Sequence, residues 1–356
     1  MEQTLRQAAE KLRNYPVTKR DLERFLCVVA ERQPVDLWDV IHHSDEYVRV
    51  VMEIFEVLKN GGFVDVDSEG RLTLTEKGKN LMEEVNACAA ETPTITSLVS
   101  YGIELPPKWQ KILEEVRRLY TEVVPKDAYD QAPLLPEAAV RKAFYIYARG
   151  DIAGKRVAAV GDDDLLSIIF ALTGEVEQTL ALDIDAKLLA TISEYAKERR
   201  LPVETLQHDL REPLPQNVRS QFHTFVTEPP DTVDGITLFV SRGVELLKSE
   251  PAMVGYCGIS TTACPPAGIA EIQKRFTEMG LVVSVWLPKF NQYPPVRTEL
   301  KHVEVPDFYD PFYPPKKVWY ISDLVRIKTT RCSRPYYEGR FEGEIADYEK
   351  DAARFR

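Results

Sequence analysis

The sequence predicts an α/β protein in which a Rossmann-like domain follows a small helical module. Short apolar runs alternate with helical segments between residues 136 and 330, which favours a mostly parallel sheet covered by helices. The apolar run ending at Val160 is followed by Gly161, and about twenty residues later a second run ends in acids, as in a nucleoside-binding βαβ unit. Residues 1–90 show a separate pattern of helices before a short hairpin.

The first module, residues 1–90, has the helix and strand order of a winged helix. Its predicted elements are helices Glu2–Arg13, Lys19–Glu31, Pro34–His42 and Asp45–Asn60, strands Phe63–Val66 and Leu72–Leu74, and a last helix from Thr75. Ser44 is a predicted N-cap, and Gly61 ends the long helix. Four acids lie on that helix against Arg49 and Lys59, so it lacks the basic surface of a DNA-recognition helix. We therefore expect a packing or dimerisation module.

Three further regions follow. Residues 91–135 are an irregular, Pro-rich connector around one helix, Lys108–Tyr120, and residues 331–356 form an acidic and aromatic tail that is mobile or folds over the protein. The catalytic domain spans residues 136–330. Its predicted helices are 136–148, Leu165–Leu172, Ala186–Arg199, Thr232–Leu247 and Ala267–Met279, and its predicted strands are Val157–Val160, Thr179–Ile184, Val203–Gln207, Thr224–Thr227, Met253–Ile259, Leu281–Leu287 and Asp323–Lys328.

Composition limits the possible functions. The chain has 356 residues, 44% of them hydrophobic, and a net charge of −11, which argues against general nucleic-acid binding. No apolar run is long enough to cross a membrane, and the charged N-terminus is no signal peptide, so we expect a cytoplasmic protein. The five cysteines contain no CxxC pair and the five histidines no HxxxH spacing, which indicates neither a disulfide framework nor a metal site.

An acidic triplet, Asp162–Asp164, follows Gly161 where phosphate-binding chains place bare glycines. Backbone N–H groups at a helix N-terminus bind phosphate, and three carboxylates there would repel it. The turn therefore predicts a nucleoside ligand that carries positive charge at this point. Mutual repulsion should raise the pKa of some of these acids, which makes Asp162, Asp163 and Asp164 candidate catalytic residues.

Acids also follow the next two predicted strands. Because the carboxyl ends of parallel strands meet at one edge of a sheet, these side chains should converge on the same cleft. The acid after the second strand would accept ribose hydroxyl groups, and the one after the third could accept an adenine amino group. Capping of the following helices is the alternative, and both roles can coexist. The candidate nucleoside-binding residues are Gly161, Asp183, Ile184, Asp185, Asp209 and Leu210.

The loop after the fourth predicted strand reads Glu228-Pro229-Pro230-Asp231. Two prolines restrict the backbone and so fix where the two carboxylates point, although a turn capped by Asp231 is the structural alternative. Facing the triplet, these acids would bind ammonium groups, which predicts Asp231 as catalytic and Glu228 and Pro229 as substrate contacts. Rings beside carboxylates suit cations on methylene chains. The other predicted substrate contacts are Tyr129, Asp130 and Gln131.

The motifs GDDD, HDLREPLP and TEPPDT together resemble the branched-chain polyamine synthases, or N(4)-bis(aminopropyl)spermidine synthases, of thermophiles. The resemblance covers nearly the whole chain. It implies a winged helix ahead of a Rossmann-like, class I methyltransferase-type aminopropyltransferase domain. It also implies transfer of aminopropyl groups from decarboxylated S-adenosylmethionine to the central amine of spermidine, with release of methylthioadenosine. Linear aminopropyltransferases have Asp where this chain has Glu228.

Two alternatives remain open. An amino-group methyltransferase that uses S-adenosylmethionine has an Asp/Asn-Pro-Pro-aromatic loop similar to residues 228–231, but Asp231 replaces the aromatic residue. A polyamine-sensing winged-helix regulator would need a basic helix, which Asp45–Asn60 is not. The favoured interpretation is a homodimeric aminopropyltransferase with spermidine as acceptor, without bound metal, nucleic acid or membrane.

Overall fold

The structure is a computed structural model that describes residues 19–37, 40, 48–84, 102–260, 263–264, 266–294, 318 and 320–354. The chain forms two compact units, Met1–Thr92 and Pro93–Arg356. The predicted helix Glu2–Arg13 and the predicted cap Ser44 lie outside the described residues.

The first unit packs its described helices on a three-stranded antiparallel sheet of order β1-β3-β2. Its elements are α1 (Lys19–Arg32), β1 (Val35–Asp36), α2 (Val48–Asn60), β2 (Val64–Val66), β3 (Arg71–Leu74) and α3 (Glu76–Glu84). Apolar residues at helical spacing on α1 and α2, such as Phe25 and Ile54, are buried together with Leu72 of the sheet. Apolar periodicity therefore predicted this unit well.

Two features of the first unit differ from the sequence prediction. Pro34 does not begin the predicted helix, because Val35 pairs with Leu72 and Asp36 with Arg71 in strand β1, and the described residues Leu37 and Val40 after the strand are helical. That pairing is non-local, and no periodic pattern along the chain reveals it. Cys27 is disulfide-bonded, although the scattered cysteines indicated no disulfide.

The second unit is an α/β domain with a seven-stranded sheet of order β6-β5-β4-β7-β8-β10-β9. The first five strands in this order are parallel to their neighbours, whereas β10 runs antiparallel to β8 and β9. The elements are α4 (Pro107–Tyr120), α5 (Pro136–Ala148), β4 (Arg156–Val160), α6 (Leu166–Leu172), β5 (Gln178–Asp183), α7 (Ala186–Arg199), β6 (Val203–Gln207), β7 (Thr224–Thr227), α8 (Val233–Leu246), β8 (Val254–Ile259), α9 (Pro266–Glu278), β9 (Leu281–Gln292), β10 (Ile321–Thr329) and α10 (Tyr348–Arg354).

The central strands are buried on both faces because helices cover the sheet. Ala158, Val160, Phe225 and Val226 are inaccessible to solvent, which explains why these strands read as continuous apolar runs rather than alternating ones. Most element bounds agree with the sequence prediction to within one residue. Strand β10 begins two residues before its predicted start at Asp323, and strand β9 continues five residues past its predicted end at Leu287.

The extension of β9 follows an irregularity in its pairing with β10. The register shifts between Ser322 and Leu324, and Lys289 has a positive φ of 55°. After this bulge the ladder resumes, with Asn291 opposite Ser322. The extension carries Asn291 to the carboxyl edge of the central strands.

The C-terminal segment folds over the second unit, which is the second of the two alternatives predicted for it, rather than forming a mobile tail. The Tyr337 N–H donates to Ser241 Oγ at 3.0 Å, and the Phe341 N–H donates to the Arg211 carbonyl at 2.8 Å. Helix α10 places Asp351 Oδ2 2.8 Å from the Val233 N–H at the start of α8. These polar contacts could not be read from the sequence, because the segment has no apolar periodicity.

In the described part of the chain, no helix has the length and apolar character needed to cross a membrane. The described residues also contain no group of three or more His, Cys, Asp or Glu side chains arranged to hold a metal ion.

Candidate active site

Three loops start side by side at the carboxyl edge of the sheet. Val160 of β4 pairs with Leu182 of β5 and with Thr227 of β7, so the segments that follow these strands leave the sheet at the same level. Thr227 Oγ1 also donates to the Val160 carbonyl at 2.7 Å. The topology therefore brings the acidic triplet together with the loop that contains Glu228, as the sequence predicted.

The turn after β4 requires glycine. Gly161 has a φ of +71°, and a Cβ there would come within 3.0 Å of a ring carbon of Phe239. Its N–H donates to the Leu182 carbonyl at 2.8 Å, which ties the turn to β5. The turn then directs the three aspartates of the triplet to different partners.

Asp162 faces the start of helix α6. Its side chain is inaccessible to solvent and accepts hydrogen bonds from the Ser167 N–H at 3.3 Å and from the Ser167 hydroxyl. Burial raises the pKa of Asp162 to about 8. This capping position does not fit the direct catalytic contact that the sequence predicted, since both carboxylate oxygens are turned to Ser167.

Asp163 and Asp164 face the segment between α4 and α5. The Ala132 N–H donates to Asp163 Oδ2 at 3.1 Å, and the Leu134 N–H donates to Asp164 Oδ1 at 2.7 Å. The second oxygen of Asp164, Oδ2, is buried without a hydrogen-bond partner, 4.0 Å from the ammonium of Lys142. The connector predicted around Lys108–Tyr120 therefore closes over two of the three acids.

Glu228 is fully engaged by protein donors. Its carboxylate accepts hydrogen bonds from the Lys142 ammonium, from Asn291 Nδ2 at 3.0 Å and from the Tyr293 hydroxyl at 2.6 Å. A Cβ at Gly258 would lie 1.9 Å from Glu228 Oε2, so only glycine leaves room for this carboxylate. These contacts disfavour the predicted role of Glu228 as a direct substrate ligand.

Asp231 accepts hydrogen bonds from residues just after β8 and just before β10. Its Oδ1 accepts a hydrogen bond from the Ser260 N–H at 3.1 Å, and its Oδ2 accepts one from the Tyr320 hydroxyl. The cap of helix α8 is Thr232, whose Oγ1 accepts from the Gly235 N–H at 2.9 Å. The structural alternative for Asp231, a helix cap, is therefore filled by its neighbour, which leaves Asp231 as an acid of the site.

Burial and mutual repulsion raise the pKa of these acids toward the neutral pH range. Burial raises the pKa of Asp164 to about 7, with Lys142 lowering it and Glu228 raising it further. Burial also raises the pKa of Asp231 to about 7, against the lowering effect of its hydrogen bonds. The pKa of Asp163 is raised well above its usual range by burial and then by its acidic neighbours. The cluster therefore favours a cation, which would stabilise the ionised forms.

The predicted nucleoside-binding acids Asp183 and Asp185 form hydrogen bonds with each other's segment and with the neighbouring loops. Asp183 accepts hydrogen bonds from the Asp162 N–H at 3.0 Å and the Asp185 N–H at 2.8 Å. Asp185 caps helix α7 through the Lys187 N–H and pairs with the Lys126 ammonium at 2.6 Å. Capping, one of the two predicted roles, is thus present for Asp185, and both acids stand at the edge where β5 ends.

The loop after β6 is more exposed than the loops after β4 and β5. Asp209 is half-buried and pairs with Arg211 at 2.6 Å, and Leu210 is buried. Gln207 Nε2 donates to the Ile184 carbonyl at 3.2 Å, which links the loops after β5 and β6. The predicted nucleoside residues therefore form one continuous edge.

The predicted substrate segment, residues 129–131, lies beside the tail. Tyr129 is 41% exposed, and the Lys126 ammonium lies 5.3 Å from the centre of its ring. Asp130 Oδ2 accepts a hydrogen bond from the Tyr348 hydroxyl at 2.6 Å, and Gln131 Oε1 accepts one from the Lys126 N–H at 2.9 Å. Pro229 is buried in the loop after β7.

Several residues of the site had no signal in the sequence. They come from α5, from the ends of β9 and β10 and from the tail, far from any recognised motif. They are Lys142, Asn291, Tyr293, Tyr320, Ser322 and Tyr348. Only a buried lysine inside the apolar pattern of α5 could have drawn attention, because lysine is almost never fully buried without a partner.

The sheet order, the glycine turn and the acids at the carboxyl ends of the strands define a Rossmann-like α/β domain. Comparison with known proteins narrows this class. Residues 111–353 match the family described as the branched-chain polyamine synthase A C-terminal domain. The chain belongs to the branched-chain polyamine synthase family, which confirms the resemblance found in its motifs.

Relatives match along most of the chain. An N(4)-bis(aminopropyl)spermidine synthase of Thermus thermophilus is 31% identical over 98% of this chain and 98% of its own length. One of Thermococcus kodakarensis is 31% identical over 93% of this chain and 92% of its own. The crystal structure of the Thermus thermophilus branched-chain polyamine synthase with N4-aminopropylspermidine and 5′-methylthioadenosine is similar at a TM-score of 0.60 and 28% identity, over 98% of both chains.

Proposed function

We propose that this protein is an aminopropyltransferase that transfers aminopropyl groups from decarboxylated S-adenosylmethionine to the central secondary amine of spermidine. The products are N(4)-aminopropylspermidine, then N(4)-bis(aminopropyl)spermidine, together with methylthioadenosine. The names of the relatives and the two molecules bound in the Thermus structure support this activity. The observation in this chain that supports it most directly is the group formed by Asp163, Asp164 and Asp231 at the edge where a nucleoside fold binds its ligand. Asp164 is buried, Asp163 and Asp231 are partly buried, and all three have a raised pKa.

The acids explain the choice of donor. S-adenosylmethionine carries a carboxylate beside its amine, and the buried Asp164 and the partly buried Asp163 would repel that group. Decarboxylation removes the anion and leaves an aminopropyl ammonium, which the same acids attract. In this proposal Asp183 and Asp185 face the ribose, and Asp209 with Leu210 lies toward the base. The donor would therefore be selected by charge at the Gly161 turn and by shape at the strand ends.

The same acids prepare the acceptor. An amine has a pKa of roughly ten in water, so its reacting nitrogen must lose a proton before it can attack. Asp164 or Asp231 accepts that proton, because each has a pKa of about 7 and lies in the cleft. The nitrogen then bonds to the propyl carbon while the carbon–sulfur bond breaks and its electron pair returns to sulfur. The sulfonium is a good leaving group, so orientation supplies most of the acceleration.

Product analysis tests this function. Wild-type protein incubated with spermidine and the decarboxylated donor should yield branched products and methylthioadenosine by mass spectrometry. The same reaction with S-adenosylmethionine should give no product, since its carboxylate meets the acids. A methylated product from S-adenosylmethionine would instead establish the methyltransferase alternative and defeat the proposal.

Binding of the polyamine should release protons. A cation at the cluster favours the ionised acids, so the pKa of Asp164 and Asp231 falls on binding and protons leave the protein. Titration calorimetry at pH 7 in two buffers with different ionisation enthalpies measures this release. The apparent binding enthalpy should differ between the buffers, and the difference should shrink in Asp231→Asn. Equal enthalpies in both buffers would contradict proton-linked binding.

The first unit, residues 1–90, is proposed as a winged helix that supports a homodimer rather than binding DNA. Its described helix and strand order fits that motif, and α2 offers Lys59 beside Asp65 rather than a basic face. Gel filtration after removal of residues 1–90 tests the dimer, and the shortened chain is expected to elute with the mass of its monomer. A gel shift at low salt tests the regulator alternative, and tight salt-sensitive DNA binding would favour it.

A further inference from the structure

Lys142 is a fully buried lysine in the middle of helix α5, among apolar residues such as Ala143 and Phe144. Its ammonium donates to Glu228 Oε1 and lies 4.0 Å from Asp164 Oδ2. A buried charge is costly unless it is paired, so this position must serve a purpose that an apolar residue could not. The two carboxylates beside Lys142 belong to the two loops that frame the site.

The two carboxylates differ in how well the rest of the protein satisfies them. Glu228 also accepts hydrogen bonds from Asn291 and Tyr293, so it remains bonded without Lys142. Asp164 has one hydrogen bond, from the Leu134 N–H, and its Oδ2 has none. The charge of Lys142 therefore matters more to Asp164 than to Glu228.

The charges around Asp164 come from every element packed against it. Helix α5 supplies Lys142, and the loop after β7 supplies Glu228. Its own turn supplies Asp163, and the end of α4 supplies the Tyr120 hydroxyl, which donates to the Asp164 carbonyl at 3.0 Å. The cation and Glu228 act in opposite directions on Asp164, since the first lowers and the second raises its pKa.

We propose that Lys142 is a positioning residue for aminopropyl transfer, whose charge favours the ionised form of Asp164 next to the attacking amine. The inference rests on the proposed function. It adds Lys142 as the group that enables Asp164 to accept the proton of the amine. Without Lys142, repulsion from Glu228 would leave Asp164 protonated at neutral pH. With Lys142 present, the charges of Lys142 and Glu228 nearly cancel, and Asp164 gains or loses its proton near neutral pH.

Two substitutions should move the pH profile in opposite directions. In Lys142→Met the acidic limb of kcat should move to higher pH by about one unit, because Asp164 loses its cation and keeps the repulsion. In Glu228→Gln it should move to lower pH, because the whole charge of Lys142 then acts on Asp164. The double variant should return the limb toward that of the wild type. A structural role would change stability or overall rate but would not shift the limbs in opposite directions.

The control is Lys108→Met, which removes a lysine that pairs with Glu175 at 2.5 Å on the protein surface and should leave the limb unmoved. Each profile is recorded on protein whose unfolding transition remains above the assay temperature. If Lys142→Met fails to fold, Glu228→Gln decides alone, and an unmoved limb overturns the inference. Limbs that move in the same direction, or not at all, overturn it as well. A wild type that forms no branched product at any pH instead overturns the proposed function.

Discussion

Asp164→Asn should lower turnover of spermidine at least about a hundredfold, because general-base contributions are typically of that size or larger. The same substitution should raise the unfolding temperature of the unliganded protein above pH 7. Burial raises the pKa of Asp164 to about 7, so its stabilising contribution is present below about pH 4 and is lost as the pH rises through 7. Asparagine removes that loss, and its side-chain oxygen can still accept the Leu134 N–H.

The measurement combines product formation with thermal unfolding from pH 5 to pH 8.5. The gain in stability should grow with pH, and binding of methylthioadenosine should be retained, because Asp183 and Asp185, the proposed ribose contacts, are untouched. Asp65→Asn, at an exposed aspartate of the first unit, is the matched control and should change neither property. Turnover of Asp164→Asn equal to wild type would remove Asp164 from the reaction. A stability difference that does not depend on pH would show that the Asp164 carboxyl has no raised pKa.

Arg326→Met should lower the free energy of unfolding by about 3–5 kcal/mol, which is the usual effect of breaking a buried ion pair. The Arg326 guanidinium on β10 is inaccessible to solvent and donates to Asp151 at 3.0 Å, with Tyr256 bonded to the same carboxylate. Burial lowers the pKa of Arg326, but the charge of Asp151 more than offsets this, and the pKa is raised. Methionine would remove the Arg326 guanidinium from the buried Asp151 carboxylate.

Urea denaturation followed by tryptophan fluorescence measures this loss. Arg71→Met, which removes an exposed guanidinium paired with Asp67 at 2.9 Å, is the matched control and should cost less than about 1 kcal/mol. Adding Asp151→Asn to Arg326→Met should recover part of the loss, because the buried negative charge that Arg326 neutralised disappears. An effect of Arg326→Met no larger than that of Arg71→Met would show that the buried pair does not stabilise the fold.

In the acidic site, charge patterns in the sequence predict the carboxylates but not the residues that bond to them. The triplet after Gly161 and the Glu-Pro-Pro-Asp loop were found from local sequence, and the topology of parallel strands brought them to one edge. The residues that donate hydrogen bonds to these acids were not predicted from the sequence. Lys142 and Glu228 are separated by 86 residues, and Tyr320 and Asp231 by 89, so no spacing rule along the chain connects them.

The sequence by itself determined the order of helices and strands, the glycine turn, the excess of carboxylates and the family, because each depends on residues close together in the chain. The tertiary structure decided which aspartate became a helix cap, which acid received a lysine and which remained half-satisfied. It also decided that the tail folds back and that β9 extends to Asn291. The reason is physical, since burial and ion pairing depend on distances between residues that are far apart in the chain, and these distances exist only after the sheet has formed.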